Sequence, residues 1–333
     1  MRVDSAVPGA PSRLVVALSI AALMAIWAFN FLVVKWGLRY LPALAFASFR
    51  VVVAGFFMLA IAPLCARLAI FQAKPSANTP VNLSEAKDRS SNSPLATNHS
   101  PLDFWTFFYL GFFGVAVNQL CFTLGLNYTN VTHSSIIVGL APIYTLTLAV
   151  LFGLEGLTLR IAVGMTIAFS GVVLLASSAG MAHRSPALLG DAITMCGSLG
   201  FAMYVVLGKR VASHFNPLTM TTWNFIFGAF MALPIAIQQF FAIDFAHSWR
   251  ALPWQAYACV FYTGLFSSTL AYLFYFWLLR YLEASQLASF SYLLPVSASA
   301  LSILFLGERG SLLELVGAAL ALLGVYYIES TRR

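Results

Sequence analysis

Apolar residues recur along most of this chain in runs about as long as a helix needs to cross a bilayer core, roughly 20 residues, and polar residues gather in the gaps between them. The runs predict ten membrane-crossing segments, at about 14–34, 43–66, 104–126, 131–152, 158–177, 188–207, 217–238, 255–279, 284–305 and 311–328. They are apolar on every face and lack the two-residue alternation of a membrane barrel. Backbone groups in lipid must also find partners within their own segment, so helix is the state that fits. The predicted fold class is all-α, a polytopic membrane protein of ten transmembrane helices. The first run exceeds the core of a cleaved signal peptide, and Trp27, Asn30 and Trp36 stand where small cleavage-site residues would be needed. It is read as a retained helix.

One stretch breaks the pattern. Residues 67–102 are rich in Ser, Asn, Pro and Lys with almost no apolar periodicity, a composition that cannot bury enough surface to order itself. They are read as a flexible loop, a passive insertion between the second and third helices.

The hydrophobic pattern also repeats. Residues 103–177 shifted forward by 153 meet 256–330 without a gap, and 20 of the 75 positions are identical. Tyr109 falls on Tyr262, Gly111 on Gly264, Pro142 on Pro295, Glu155 on Glu308, Gly164 on Gly317 and Gly171 on Gly324. The first two segments of each half align with a shift of 175, which sets Pro42 on Pro217 and Lys35 on Arg210, and the loop at 67–102 accounts for the difference. Each half holds five helices, the first within 1–178 and the second within 188–329. A chain that crosses five times ends on the side opposite its start, so the second copy enters the membrane upside down. Inverted copies enclose a site near the midplane, and rocking one against the other exposes it to alternate sides.

Composition supports the lipid environment: 60% of the 333 residues are hydrophobic and 9% are charged, against about 25% charged in a soluble domain. Lys and Arg divide twelve to six between the two sides of the ten-helix topology. The richer side holds both termini, which places them in the cytoplasm of an inner-membrane protein. Cytoplasmic anchoring accounts for the net charge of +7 without a nucleic-acid partner. The four cysteines lie within or at the ends of helices with no metal-ligand or disulfide spacing and are read as apolar filler. All eleven acidic residues fall in loops or near helix ends, which disfavours a pump driven by a mid-membrane carboxylate.

Polar groups inside a span are costly and therefore candidate site residues. Asn30 lies one turn after Trp27, and Asn118 and Gln119 lie mid-way along the third helix. Trp27, Trp223, Tyr272, Tyr275 and Tyr292 could offer ring faces to a solute. Arg50, two turns into the second helix, is read as snorkelling to the interface or bonding a neighbouring helix, in preference to attracting an anionic substrate group. His133 is read as a solvated interfacial group. Pro142 and Pro295 are hinge candidates, because proline opens the backbone ladder. Glu155 and Glu308 are read as stabilising the starts of nearby helices, and the paired glycines as helix-packing positions.

The run Ile26-Trp27-Ala28-Phe29-Asn30-Phe31, followed by Lys35, Gly37-Leu38-Arg39-Tyr40-Leu41-Pro42 and Phe49-Arg50, resembles the opening of the EamA-type drug/metabolite transporters. The two endings Pro142…Glu155…Gly164…Gly171 and Pro295…Glu308…Gly317…Gly324 are similar to that family's repeat endings. The resemblance implies a ten-helix secondary transporter with a central cavity, an exporter of small amphipathic metabolites such as amino acids or their derivatives. Ala28 stands where the family often has Gly, and the loop at 67–102 replaces a short connection. The alternatives are an antiporter for phosphorylated sugars or nucleotide sugars, and a membrane-embedded enzyme. The expected partners are a small-molecule substrate and the lipid bilayer, with no nucleic acid, no cofactor and no metal; a homodimer stays open.

Overall fold

A computed structural model describes residues 11–65, 101–129, 134, 137–156, 158–178, 188–212, 215–242, 252–294, 296–297, 301 and 312–331. Among these residues there is helix and no strand. We number the helices by predicted segment: α1 (Arg13–Gly37), α2 (Ala43–Cys65), α4 (Ala141–Leu151), α5 (Leu159–Ser178), α6 (Leu188–Val211), α7 (Pro217–Ala242), α9 (Ala284–Ser289) and α10 (Leu312–Thr331). Between them, α3 is continuous through Pro101–Leu110, Gly111–Val117 and Asn118–Tyr128, and α8 through Trp254–Tyr262, Thr263–Leu270 and Ala271–Leu279. Each expected segment thus carries helix. Six of these helices, α1, α2, α3, α6, α7 and α8, are long and apolar enough to cross a membrane. Most of 67–102, with His133, Pro295 and Glu308, lies outside the described residues.

The helices tolerate hydroxyl residues in lipid because those side chains bond back into their own turn. Thr123, Thr221, Thr222 and Thr263 each donate to the carbonyl four residues earlier, at 2.7–2.9 Å. The hydroxyl is thereby satisfied without a partner from another helix. Pro217 begins α7, where its missing N–H removes no helical bond.

The glycines show how the two halves are arranged. A Cβ on Gly164 would meet Ile328, Tyr327 and Gly324, whereas one on Gly171 would run into Ala321, Gly317 and Leu320. Contacts move down α10 as they move up α5, so the two helices run antiparallel. Shifting by 153 turns the contact of Gly171 with the Ala321 amide into that of Gly324 with the Ala168 amide, and both are present. Equivalent helices that pack antiparallel and exchange places are related by a two-fold axis across their length. The same exchange recurs elsewhere: Gly111 packs on Asn224, Phe227 and Gly228 of α7, and Gly264 packs on Val53 and Ala54 of α2. The second half is an inverted copy of the first.

Two lysines report the register of the copies. Lys35 donates to the carbonyls of Leu126 and Thr129 at 3.2 and 3.4 Å. Lys209 donates to those of Leu279 and Leu282 at 3.0 and 2.6 Å. The four carbonyls are equivalent under the shift of 153, so the counterpart of Lys35 is Lys209 rather than Arg210. The difference of one residue is taken up in the turn between the first two helices of the second half. Each ammonium satisfies carbonyls that a helix end leaves without intrahelical donors.

Replacing Gly171 or Gly324 by Ala places a methyl against the backbone of the facing helix. We expect each change to lower stability by roughly 1–3 kcal/mol, while Gly156→Ala, whose Cβ would meet nothing, stays within about 0.5 kcal/mol. Melting of the detergent-purified protein, followed by loss of the monodisperse peak, checks this.

Candidate functional site

A cavity lies between the two copies, and side chains from both line it. Trp27, Asn30 and Phe31 come from α1, Arg50 from α2, Asn118, Gln119 and Phe122 from α3, and Ala141 from α4. Thr194, Ser198 and Phe201 come from α6, Ser267 and Tyr272 from α8, and Val138, Ser291 and Leu294 from the stretches beside α4 and α9. The cavity volume is about 90 Å³. That room suits a few waters or one small solute.

Aromatic rings close the cavity toward the face that carries the termini. Trp27 and Phe201 come from equivalent places on α1 and α6, in the register set by Lys35 and Lys209. Their ring centroids are 5.6 Å apart, as expected for residues beside the two-fold axis. Tyr272 approaches Trp27 at 6.2 Å. Tyr275, Tyr204 and Phe276 form a fully buried layer behind.

Both copies of the third helix widen to π-helix at the level of the cavity, over Gly111–Val117 in α3 and Thr263–Leu270 in α8. Such stretches leave carbonyls available to outside donors and are frequent at functional sites. Here the equivalent carbonyls Gly114 and Ser267 each accept from an aromatic side chain: the Tyr272 hydroxyl on Gly114 at 2.9 Å, the Trp27 indole N–H on Ser267 at 3.2 Å. The sequence carries no mark of the π-helix itself beyond the shared Gly111 and Gly264.

A polar chain crosses the cavity from Arg50, which is 3% exposed. Its guanidinium donates to Thr123 Oγ1 at 3.4 Å and Ser268 Oγ at 3.3 Å. The Ser268 hydroxyl donates to Gln119 Oε1 at 2.8 Å, and Thr123 donates to the Gln119 backbone carbonyl. Arg50 therefore bonds two neighbouring helices, and its head is held deep inside rather than snorkelled to the interface. Among the described residues no carboxylate pairs with it. Asn118 is committed differently: its Nδ2 donates to the Gly197 carbonyl at 3.0 Å and its Oδ1 accepts from Tyr272 at 2.8 Å. It ties α3 to α6 and α8.

Five of the residues singled out in the sequence come together here: Trp27, Asn30, Asn118, Gln119 and Tyr272. Three do not line the cavity. Trp223 stacks nearly parallel on Phe107 at 6.2 Å, Tyr275 backs Trp27, and Tyr292 is buried with Ala168 and Ala321 between α5 and α10. Pro142 sits at the start of α4, after a turn at Leu140 whose carbonyl accepts from both Ile143 and Tyr144. The fourth segment is thus interrupted where Val138 and Ala141 meet the cavity. Glu155 reaches the start of a helix in the other copy. It accepts from the backbone N–H of Ser285 at 3.0 Å and from the Ser285 hydroxyl, at the start of α9 in the other copy. Sequence reasoning missed Phe201, Ser198, Thr194, Ser267 and Ser291, because small hydroxyls and one Phe among many carry no local signal.

In a background with the native cysteines replaced by Ala, Ala141→Cys is expected to react with a small water-soluble thiol reagent at least about tenfold faster than Ala149→Cys. Ala149 is buried on the same helix and does not line the cavity. Reaction rates on the purified protein check this.

Comparisons with known proteins agree with one another. A family profile described as the EamA-like transporter family matches residues 14–177 and again 188–330. An uncharacterized transporter of Archaeoglobus fulgidus is 31% identical over 68% of this chain and 77% of its own length. A second from that organism is 24% identical over 93% and 95%. A protein of Streptantibioticus cattleyicolor named a probable terminal-alkyne amino-acid exporter is 23% identical over 65% and 70%. A solved crystal structure superposes with a TM-score of 0.65 at 15% identity, covering 96% of this chain and 98% of its own, a likeness of fold. With two matches spanning nearly its whole length, this chain belongs to the EamA-like transporter family.

Proposed function

We propose that this membrane transporter is a secondary exporter of small amphipathic metabolites, amino acids or their derivatives among them, working by alternating access between its halves, 1–178 and 188–329. The observation that carries the reading is the position of the cavity beside the two-fold axis, between inverted copies that both line it. Rocking about that axis would exchange the closed and open ends, because each half can take the pose of the other. The family makes the chain a transporter, not an enzyme.

On the face of the termini the halves are joined by Glu155 on Ser285 and by Arg210, which donates to the Phe152 carbonyl at 3.0 Å and lies over the Phe152 ring. On the opposite face Thr129 donates to Asp191 at 2.7 Å. In this reading such inter-repeat bonds are the ones that break and reform as access alternates. Under the shift of 153, Glu155 falls on Glu308 and Ser285 on Thr132, and Glu308 and Thr132 both lie outside the described residues.

An antiporter for phosphorylated sugars is the weaker reading. A doubly charged phosphate calls for several cations, and Arg50 alone among the lining residues is cationic. Lys35, Lys209 and Arg210 are engaged with helix-end carbonyls. We place the termini in the cytoplasm of the inner membrane from the charge distribution, and a protease-sensitive tag at the C-terminus should survive treatment of intact cells and be cut in inverted vesicles.

Sealed vesicles holding the purified protein and loaded with one unlabelled metabolite should exchange it for labelled solute across a panel of amino acids, amines and organic acids. Glu155→Gln, which weakens one inter-repeat bond, is expected to change the exchange rate several-fold with less than twofold change in half-saturation. Failure of every panel member to move would overturn the function.

A further inference from the structure

Two cysteines from different halves meet on the flank of the bundle. Cys121 lies two turns before the end of α3 and Cys196 two turns into α6, so the antiparallel helices bring them to one depth. Their thiols hydrogen-bond each other, and both cysteines are free. The two backbones come close here because glycine stands beside the pair. A Cβ on Gly197 would meet the Cys121 Cβ at 3.2 Å, and one on Gly190 would meet the Thr129 amide nitrogen at 2.8 Å. Asn118 also holds the Gly197 carbonyl from α3 at 3.0 Å. Two thiols kept in contact by packed helices meet the first geometric condition for a disulfide.

Apolar filler does not account for the pair. Cys121 is half-buried and Cys196 is exposed, and neither lines the central cavity. At that depth in a membrane helix, the exposed side of α6 faces lipid. The equivalent places on α8 and α1, in the register set by Lys35 and Lys209, hold Phe274 and Ala22. The pair therefore belongs to one side of the two-fold axis only.

We infer that Cys121 and Cys196 are a reversible oxidation site, at which a membrane-borne organic hydroperoxide converts them to a disulfide that locks the two halves together. Cys196, open to the lipid, is oxidised first, and Cys121 resolves it. The Cys196 sulfur attacks the terminal oxygen of the hydroperoxide. The O–O bond breaks, the remainder leaves with the thiol proton as an alcohol, and Cys196 becomes a sulfenic acid. The Cys121 sulfur then attacks that of Cys196. The S–S bond forms, the S–O bond breaks, and the hydroxyl leaves with the Cys121 proton as water. Each sulfur loses one electron, and the two peroxide oxygens take them. A dithiol reverses the step by exchange.

The lock rests on the alternating-access reading above. In that reading the α3–α6 contact exchanges poses with its counterpart, α8–α1. A covalent bond across one contact and not the other holds the pose seen here, in which aromatic rings close the cavity toward the face of the termini.

A protease site inserted in the connection at 179–187 allows the halves to be separated after purification. Protein in vesicles is treated with cumene hydroperoxide, its free thiols are blocked with N-ethylmaleimide, and the cut chain is run on a denaturing gel without reductant. The wild type is expected to run as one linked species that dithiothreitol splits in two. Cys121→Ala and Cys196→Ala should each run as separate halves, while Cys259→Ala, in a different cluster, should still link. Counterflow by the wild type should fall at least about tenfold on oxidation and return with dithiothreitol, whereas Cys196→Ala keeps its rate within about twofold. Separate halves in the oxidised wild type, or linked halves in Cys196→Ala, overturn the oxidation site. Linked halves that transport at an undiminished rate overturn the lock. If the reduced protein moves no solute at all, it is the transporter reading that fails, and the gel still decides whether the pair is oxidised.

Discussion

Close backbone contact between two equivalent helices organises this protein. Gly171 faces the Ala321 amide and Gly324 faces the Ala168 amide, and neither contact leaves room for a side chain. In lipid there is little hydrophobic drive to press helices together, so close approach through small residues has to supply the packing. Because the two contacts exchange under the repeat, they fix the two-fold axis, and with it the antiparallel sense of the halves. The placement of Trp27 against Phe201 and of the paired π-helical stretches is consistent with that axis.

The axis does not make the cavity symmetric. Arg50 has Phe225 at the equivalent position of α7, and Tyr272 has Gln119 at that of α3. The unshared residues give the cavity a polar side around Arg50 and an aromatic side around Trp27. A solute with one charged head and one apolar body would meet a matching surface at each end. The two lysines serve a different purpose. By satisfying equivalent carbonyls within each half, they tie α1 to α3 and α6 to α8.

Much of the fold was legible because lipid imposes one rule on every residue. Apolar runs of membrane length can only be helices, and the spacing of Pro142, Glu155, Gly164 and Gly171 recurs in the second half. The site was legible only in part. Asn30, Asn118 and Gln119 stood out as polar residues amid apolar ones, and the cavity gathers all three. The aromatic candidates divided: a sequence with 15% aromatic residues gives no means of separating Tyr272, whose hydroxyl reaches a π-helical carbonyl, from Tyr292, which packs between α5 and α10. Arg50 near a helix end fits snorkelling as well as burial, and only the neighbouring Thr123 and Ser268 show which holds. The one-residue error that set Lys35 on Arg210 has the same origin, because two adjacent basic residues cannot be told apart without the carbonyls they reach. The bond of Glu155 to Ser285 could not be read from the sequence, because the two are 130 residues apart.

The most direct test of alternating access is a pair of spin-label distances measured in lipid, with and without a transported solute. One pair spans the halves on the face of the termini, at Gly156 and Glu283, and the other spans them on the opposite face, at Asn127 and Leu189. All four positions are surface-exposed. Rocking about the two-fold axis requires the two distances to change in opposite senses, one lengthening as the other shortens. If both lengthen together, or if transport proceeds while neither changes, the inverted halves do not act as the moving parts.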